Sequence, residues 1–212
     1  MLTLFFTAMA LATVFNAAPG PVFAETVRQS LRGGWRAALA VQLGSLSGDA
    51  LWALLGLAGV GLVARIELLR LPVALAGIAY LLWLAWDAWR EAALEQPAPA
   101  ALPPSQAALR SGVLLSITNP QNVAYWAALG SAMGAVGVAN PMPEHYVVFF
   151  AAFMTASVAW SFVAAGLAHA MVGRASGIWA RAIRRAIALA FVLLACGAAH
   201  AAWQQFGAAA AG

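Results

Sequence analysis

Two long apolar stretches of this chain are each interrupted by a proline-bearing break. The first is Asn16-Ala17-Ala18-Pro19-Gly20-Pro21, and the second, in the other half of the chain, is Thr118-Asn119-Pro120-Gln121-Asn122. Proline removes a backbone donor and clashes with the preceding turn, so each break releases carbonyl groups that lipid cannot satisfy. Such backbone is tolerated only against protein or a wet cavity. Breaks at corresponding places in two halves of a membrane protein point to a transport site.

That reading requires a membrane, and the composition supplies it. The chain is 64% hydrophobic and 8% charged, with a mean hydropathy of +0.84, whereas a soluble domain carries about a quarter charged residues. Six apolar segments stand out, at Leu2–Phe23, Ala37–Val63, Leu71–Trp89, Gly112–Met133, Tyr146–Val172 and Ile183–Trp203. Each approaches or exceeds the ~20 residues of a spanning helix. The expected fold is an all-α integral membrane protein with six transmembrane helices. Val22-Phe23-Ala24 resembles a signal cleavage site, but the first segment lacks a basic start and carries Pro-Gly-Pro just before it, which argues against cleavage.

All basic residues are arginines, and they sit at segment ends rather than in a stripe with interleaved aromatics, so nucleic acid is not an expected partner. Nine of the eleven fall in the 1–2, 3–4 and 5–6 connections, and only Arg65 and Arg70 lie on the other side. This bias places those connections in the cytoplasm and both termini outside. Residues 91–110 form a Pro/Ala-rich cytoplasmic linker between a first half, 1–90, and a second half, 111–212. Weak matches such as Leu55-Gly56-Leu57-Ala58 with Ala165-Gly166-Leu167-Ala168 suggest that the halves are repeats. Three spans per half make the second half inverted, with a broken first helix in each.

Asp49 is the sharpest candidate for chemistry, because a carboxylate in mid-segment is costly unless protonated, paired or wet. It either binds a cationic group or a proton, or serves as a structural acid bonded to a neighbouring helix. Gln42 and Ser45 lie one to two turns back on its helical face. Gly44 and Gly48 form a small-xxx-small face whose ordinary role is close helix packing. Asn16, Asn119 and Asn122 offer donors and an acceptor to a zwitterion, or else cap their own kinks. Amides freed at a helix start suit a carboxylate. Tyr125 and Trp126 form either an aromatic wall or lipid-facing packing. Asp87 lies within reach of Arg90 as an interfacial ion pair. His169 and His200 are isolated in apolar segments and read as packing residues, as does Cys196. No metal spacing, nucleotide loop or nucleophile motif is present, so no cofactor is expected.

Taken together, Asn16-Ala17-Ala18-Pro19-Gly20-Pro21, Gly33-Gly34 with Ala37 and Ala38, and Gly44-xxx-Gly48-Asp49 resemble the N-terminal signature of the LysE/RhtB family of amino-acid exporters. Ala76-Gly77, Tyr80-Leu81-Leu82-Trp83 and Thr118-Asn119-Pro120 are similar to its later motifs. The resemblance implies export of amino acids or similar metabolites across the bacterial inner membrane, driven by protons, with a homodimer as a further implication. It places Asp49 where the family often has an acid. Family members handling basic amino acids commonly carry a second acid after the Asn-Pro element, and here Gln121-Asn122-Val123-Ala124-Tyr125 has none. A neutral substrate, homoserine/threonine-like or hydrophobic, fits better. The candidate binding or coupling set is therefore Asp49, Asn16, Pro19, Gly20, Pro21, Gln42, Ser45, Gly48, Asn119, Pro120, Asn122 and Tyr125. The competing classes are a polytopic membrane enzyme, which would need convergent ionisable groups, and a non-transporting scaffold, which would leave the breaks unexplained.

Overall fold

The computed structural model describes residues 1–18, 20–57, 60–93, 104–119, 138, 142–172, 175 and 177–210. Among these the regular structure is six helices: α1 (Leu2–Ala17), α2 (Pro21–Leu57), α3 (Val60–Ala93), α4 (Pro104–Ile117), α5 (Pro143–Val172) and α6 (Gly177–Ala210). Helix α5 and residues 177–204 of α6 are each long and apolar enough to cross a bilayer, both with hydropathy 2.0. The pair α1 and α2 makes a third such element, bent at the first break.

Helix α2 is two limbs rather than one rod. Gly33 and Gly34 leave the helical region, and Gly34 has φ 65° and ψ −157°, a conformation that only glycine adopts readily. Across this turn the Gln42 amide donates to Thr26 Oγ1 at 2.8 Å. In a straight helix those residues would stand about 24 Å apart. The chain thus reverses, and the limb 21–32, the inner limb, folds back along the limb 35–57. The first apolar segment accordingly ends α1 at Ala17 and continues beyond Phe23 into the inner limb.

The second limb and α4 are pressed together through glycines. A Cβ at Gly44 would strike the Leu109 carbonyl, one at Gly112 the Val41 carbonyl, and one at Gly48 would lie 2.5 Å from Ser116 Oγ. Backbones this close are the reason for the small-residue face, and α4 of the same chain occupies it. Contacts of Gly44 with Leu109, Gly48 with Ser116 and Trp52 with Ile117 ascend together, so the limb and α4 run parallel.

Packing around this pair follows the same rule. Ala152, Ala156, Ala164, Ala165 and Ala168 line the buried side of α5 with Phe149 and Phe153, which meet Ala8, Ala12 and Trp52. A second cluster joins Val27, Leu84, Leu115, Ala168 and Phe191 from five helices. Large residues such as Trp83, Trp86, Leu193 and Trp203 point outward. In lipid this arrangement carries no penalty, since bilayer tails are as apolar as leucine.

Two sequence-based boundaries shift. Helix α3 starts at Val60, well before Leu71, and runs through Pro72. Helix α4 starts at Pro104, inside the expected linker, with proline in the first turn where its missing N–H costs nothing. The rest of the linker, 94–103, and the expected continuation of the fourth segment, 120–133, lie outside the described residues.

Candidate functional site

The first break ends α1 with a short turn, Ala18 N–H donating to the Phe15 carbonyl at 3.3 Å. Helix α2 restarts at Pro21, and Ala24 N–H is the first to bond back, to Gly20 at 3.1 Å. The N–H groups of Val22 and Phe23 therefore belong to a helical first turn and have no carbonyl four residues behind them in the helix. The Asn16 amide donates to Ser157 Oγ of α5 at 2.9 Å, which anchors the break to the bundle.

Of the second break, Thr118 and Asn119 are described, and they end α4. Thr118 N–H still bonds to Leu114 at 3.0 Å, whereas Asn119 N–H turns to Ser116 at 3.4 Å. Residue 120 is proline and has no N–H to give. The Ile117 carbonyl accepts from the Trp52 indole at 3.1 Å.

Both breaks open on one cavity of about 170 Å³. Asn16, Gly20 and Pro21 reach it from the first break, and Ser116 and Asn119 from the end of α4. Gln42, Ser45 and Asp49 come from the second limb of α2, and Phe15 and Trp160 close the apolar side. Asp49 is 7% exposed and accepts from Ser116 Oγ at 3.1 Å. Ser45 Oγ donates to the Gln42 carbonyl at 2.7 Å. The cavity thus offers one carboxylate, amide and hydroxyl groups, and the positive end of a helix. Gly48 is not in its wall and lies in the α2–α4 contact. Pro19, Pro120, Asn122 and Tyr125 lie outside the described residues.

The sequence reading missed the other polar centre of the molecule. Arg28 and Arg32 do not sit in a solvated connection. They lie on the inner limb of α2, and Arg28 is only 2% exposed. Its guanidinium holds Glu25 with two bonds, Nε to Oε2 at 2.7 Å and Nη2 to Oε1 at 3.0 Å. Its Nη1 reaches Asp87 at 2.7 Å and Glu91 at 3.1 Å on α3. Arg32 bonds to the same two acids. Asp87 is therefore committed to α2, and the expected pairing with Arg90 is replaced, because Arg90 points outward from the exposed side of α3. Glu25 also accepts from Ser111 of α4 at 2.8 Å and from Gln29 at 2.7 Å. Its position three residues before Arg28 was the available signal, since a carboxylate one turn from an arginine is a ready helix pair.

Comparison with known proteins shows the family of the chain. The LysE type translocator profile matches residues 13–202. The chain is 43% identical over 182 residues to the "Chemotactic transduction protein ChpE" of Pseudomonas aeruginosa, a match that covers 85% of this chain and 90% of the relative. No solved structure matches. With the profile spanning nearly the whole helical bundle, the chain belongs to the LysE type translocator family.

Proposed function

We propose that this protein is a secondary transporter that exports a neutral amino acid from the cytoplasm across the inner membrane in exchange for protons. The observation that carries this reading is the convergence of Asp49, Asn16 and Asn119 on one cavity where two broken helices meet. An ammonium group would pair with Asp49 and a carboxylate would sit at the start of α2, where helical N–H groups and the dipole favour an anion. Asn16 and Asn119 would orient the backbone of the substrate, and Phe15 and Trp160 would face its side chain. A proton taken up by Asp49 would release the ammonium, which couples the two fluxes. One carboxylate without a second acid among the described wall residues suits a neutral substrate rather than lysine or arginine.

In this reading the chain crosses six times as two inverted halves. Helix α1 and α4 are counterparts, each ending at an Asn-containing break. The inner limb of α2, bounded by the break at Ala18 and the turn at Gly33-Gly34, is the segment placed to swing between states. The name of the relative supports a second reading, in which the same cavity senses an amino acid for chemotactic transduction and does not move it.

The test is efflux from loaded proteoliposomes, using a radiolabelled mixture of amino acids, with and without a proton gradient. Gradient-stimulated efflux that is lost in Asp49→Asn supports export. Saturable binding without efflux supports the sensing reading, and normal efflux by a folded Asp49→Asn protein removes Asp49 from the mechanism.

A further inference from the structure

A second cavity, of about 360 Å³, lies against the buried ion cluster, between the inner limb of α2, α3 and residues 107–114 of α4. Its wall carries both signs of charge: Arg28 and Arg32, which are bonded to Asp87, stand with Gln29 and Arg110, and Tyr80 and Trp83 form an aromatic ledge whose rings stack at 5.6 Å. The two cavities share no described lining residue, and the inner limb of α2 contributes Pro21, Val22 and Phe23 to one and Arg28, Gln29 and Arg32 to the other.

Gln29 is the informative residue. It is 2% exposed, and its Nε2 donates to Glu25 Oε1 at 2.7 Å, which fixes the orientation of the amide, since the flipped form would set two acceptors against each other. Its Oε1 is then buried with no hydrogen-bond donor among the described residues, an arrangement that is costly for a protein. Arg110 is exposed and makes no ion pair among the described residues, unlike Arg28 and Arg32. A residue of the wall, Gln29, thus holds a buried acceptor without a donor among the described residues, and the wall adds the partly exposed carboxylate of Asp87 and the exposed guanidinium of Arg110.

We propose that this outer cavity is a second binding site, for an α-amino-acid zwitterion, where the substrate docks before it enters the central cavity. The ammonium group donates to Gln29 Oε1 and Asp87, the carboxylate is held by Arg110 with Arg32, and the side chain lies on Tyr80 and Trp83. The site lies along residues 107–114 of α4, and the arginine distribution assigns the connection that leads into this helix to the cytoplasm. The assignment of an amino acid as ligand rests on the export reading above.

A zwitterionic phospholipid headgroup carries the same pair of charges, so the test separates the two sources. Binding of a radiolabelled amino-acid hydrolysate is measured on the purified full chain in phosphatidylglycerol nanodiscs, for the unaltered protein and for Asp49→Asn, Gln29→Met and Arg110→Gln. Two equivalents per chain are expected, one lost in Asp49→Asn and the other weakened at least tenfold in both Gln29→Met and Arg110→Gln. Arg110 is exposed, so its variant decides the matter if Gln29→Met fails to fold. Two equivalents retained in Arg110→Gln overturn the outer site. A single equivalent that only Asp49→Asn removes overturns it too, and leaves the export reading standing. A single equivalent that survives Asp49→Asn and is lost in Arg110→Gln supports the outer site and counts against the central one. No binding at all overturns both. Displacement of the amino acid by added phosphatidylethanolamine assigns the cavity to the lipid headgroup and overturns the proposal.

Discussion

The hydroxyl of Ser116 donates to Asp49 Oδ1 at 3.1 Å, and the two residues come from parallel helices held together by glycine. Gly48, next to Asp49, has no room for a Cβ because Ser116 is there. The contact that closes the helix pair thus also sets the position of the buried carboxylate. Packing and site are one arrangement at this point, and substitutions that keep the side-chain shape test the site within it.

Asp49→Asn keeps the shape of the side chain and removes its charge. Export is expected to fall at least about tenfold, equivalent to about 1.4 kcal/mol. Ser116→Ala removes one hydrogen bond, worth about 0.5–1.5 kcal/mol net, and should slow export about two- to tenfold. Efflux from proteoliposomes reads both, with helicity by circular dichroism as the control. Equal rates for Asp49→Asn and the unaltered protein would contradict a role for the charge.

The ion cluster gives a prediction that the sequence would have placed elsewhere. Arg28→Met leaves Glu25 and Glu91 buried with their shared partner gone, and breaking a buried pair from one side costs about 3–5 kcal/mol. The change should lower the thermal midpoint in detergent sharply. Arg90→Gln alters an exposed residue and should stay within about 0.5 kcal/mol of the parent. If Arg90→Gln were the damaging change, Asp87 would be paired as its position one turn before Arg90 suggests.

That contrast shows where the sequence was readable. Asn16, Gln42, Ser45, Asp49 and Asn119 stood out because each is a polar group inside an apolar run, and a bilayer makes such groups expensive. Their assembly around one cavity follows from the two breaks. Glu25 and Arg28 were hidden, since counting arginines as connection charges treats them as solvated. Helix α4 was sought too late because Ser105, Gln106 and Arg110 depress hydropathy without interrupting a helix. Arg65, Glu67 and Arg70 did the same at the start of α3. Trp52, Ser116 and Ser157 act through partners far away in sequence, and no local spacing encodes such contacts.

Glycines on this fold divide into those that carry a close approach and those that do not. A Cβ at Gly112 would collide with the Val41 backbone, which cannot step aside, whereas Gly197 has nothing within 4 Å. Gly112→Ala should destabilise the protein by about 1–3 kcal/mol through overpacking. Gly197→Ala should be neutral or stabilising by up to about 1 kcal/mol, because alanine loses less backbone entropy in a helix. Thermal unfolding of the two variants in one detergent gives the comparison. Equal behaviour would mean that α2 and α4 are not in backbone contact.

The turn at Gly33-Gly34 gives the sharpest test of the two-limbed α2. Gly34 has φ 65° and ψ −157°, close to a region occupied almost only by glycine, while Gly33 has φ −138° and ψ 15° and a negative φ that other residues share. Gly34→Ala should cost about 1–3 kcal/mol of strain, and Gly33→Ala distinctly less. Space is not the issue at Gly34, since the nearest atom to an added Cβ is His169 Cε1 at 3.9 Å. A loss in Gly34→Ala would therefore report backbone conformation alone. The same substitution should also slow export if the inner limb swings about this turn, because alanine narrows the range that the hinge can sample. Loss of stability with unchanged transport would confine Gly34 to folding, and no loss of either would mean that α2 passes through this point as a continuous helix.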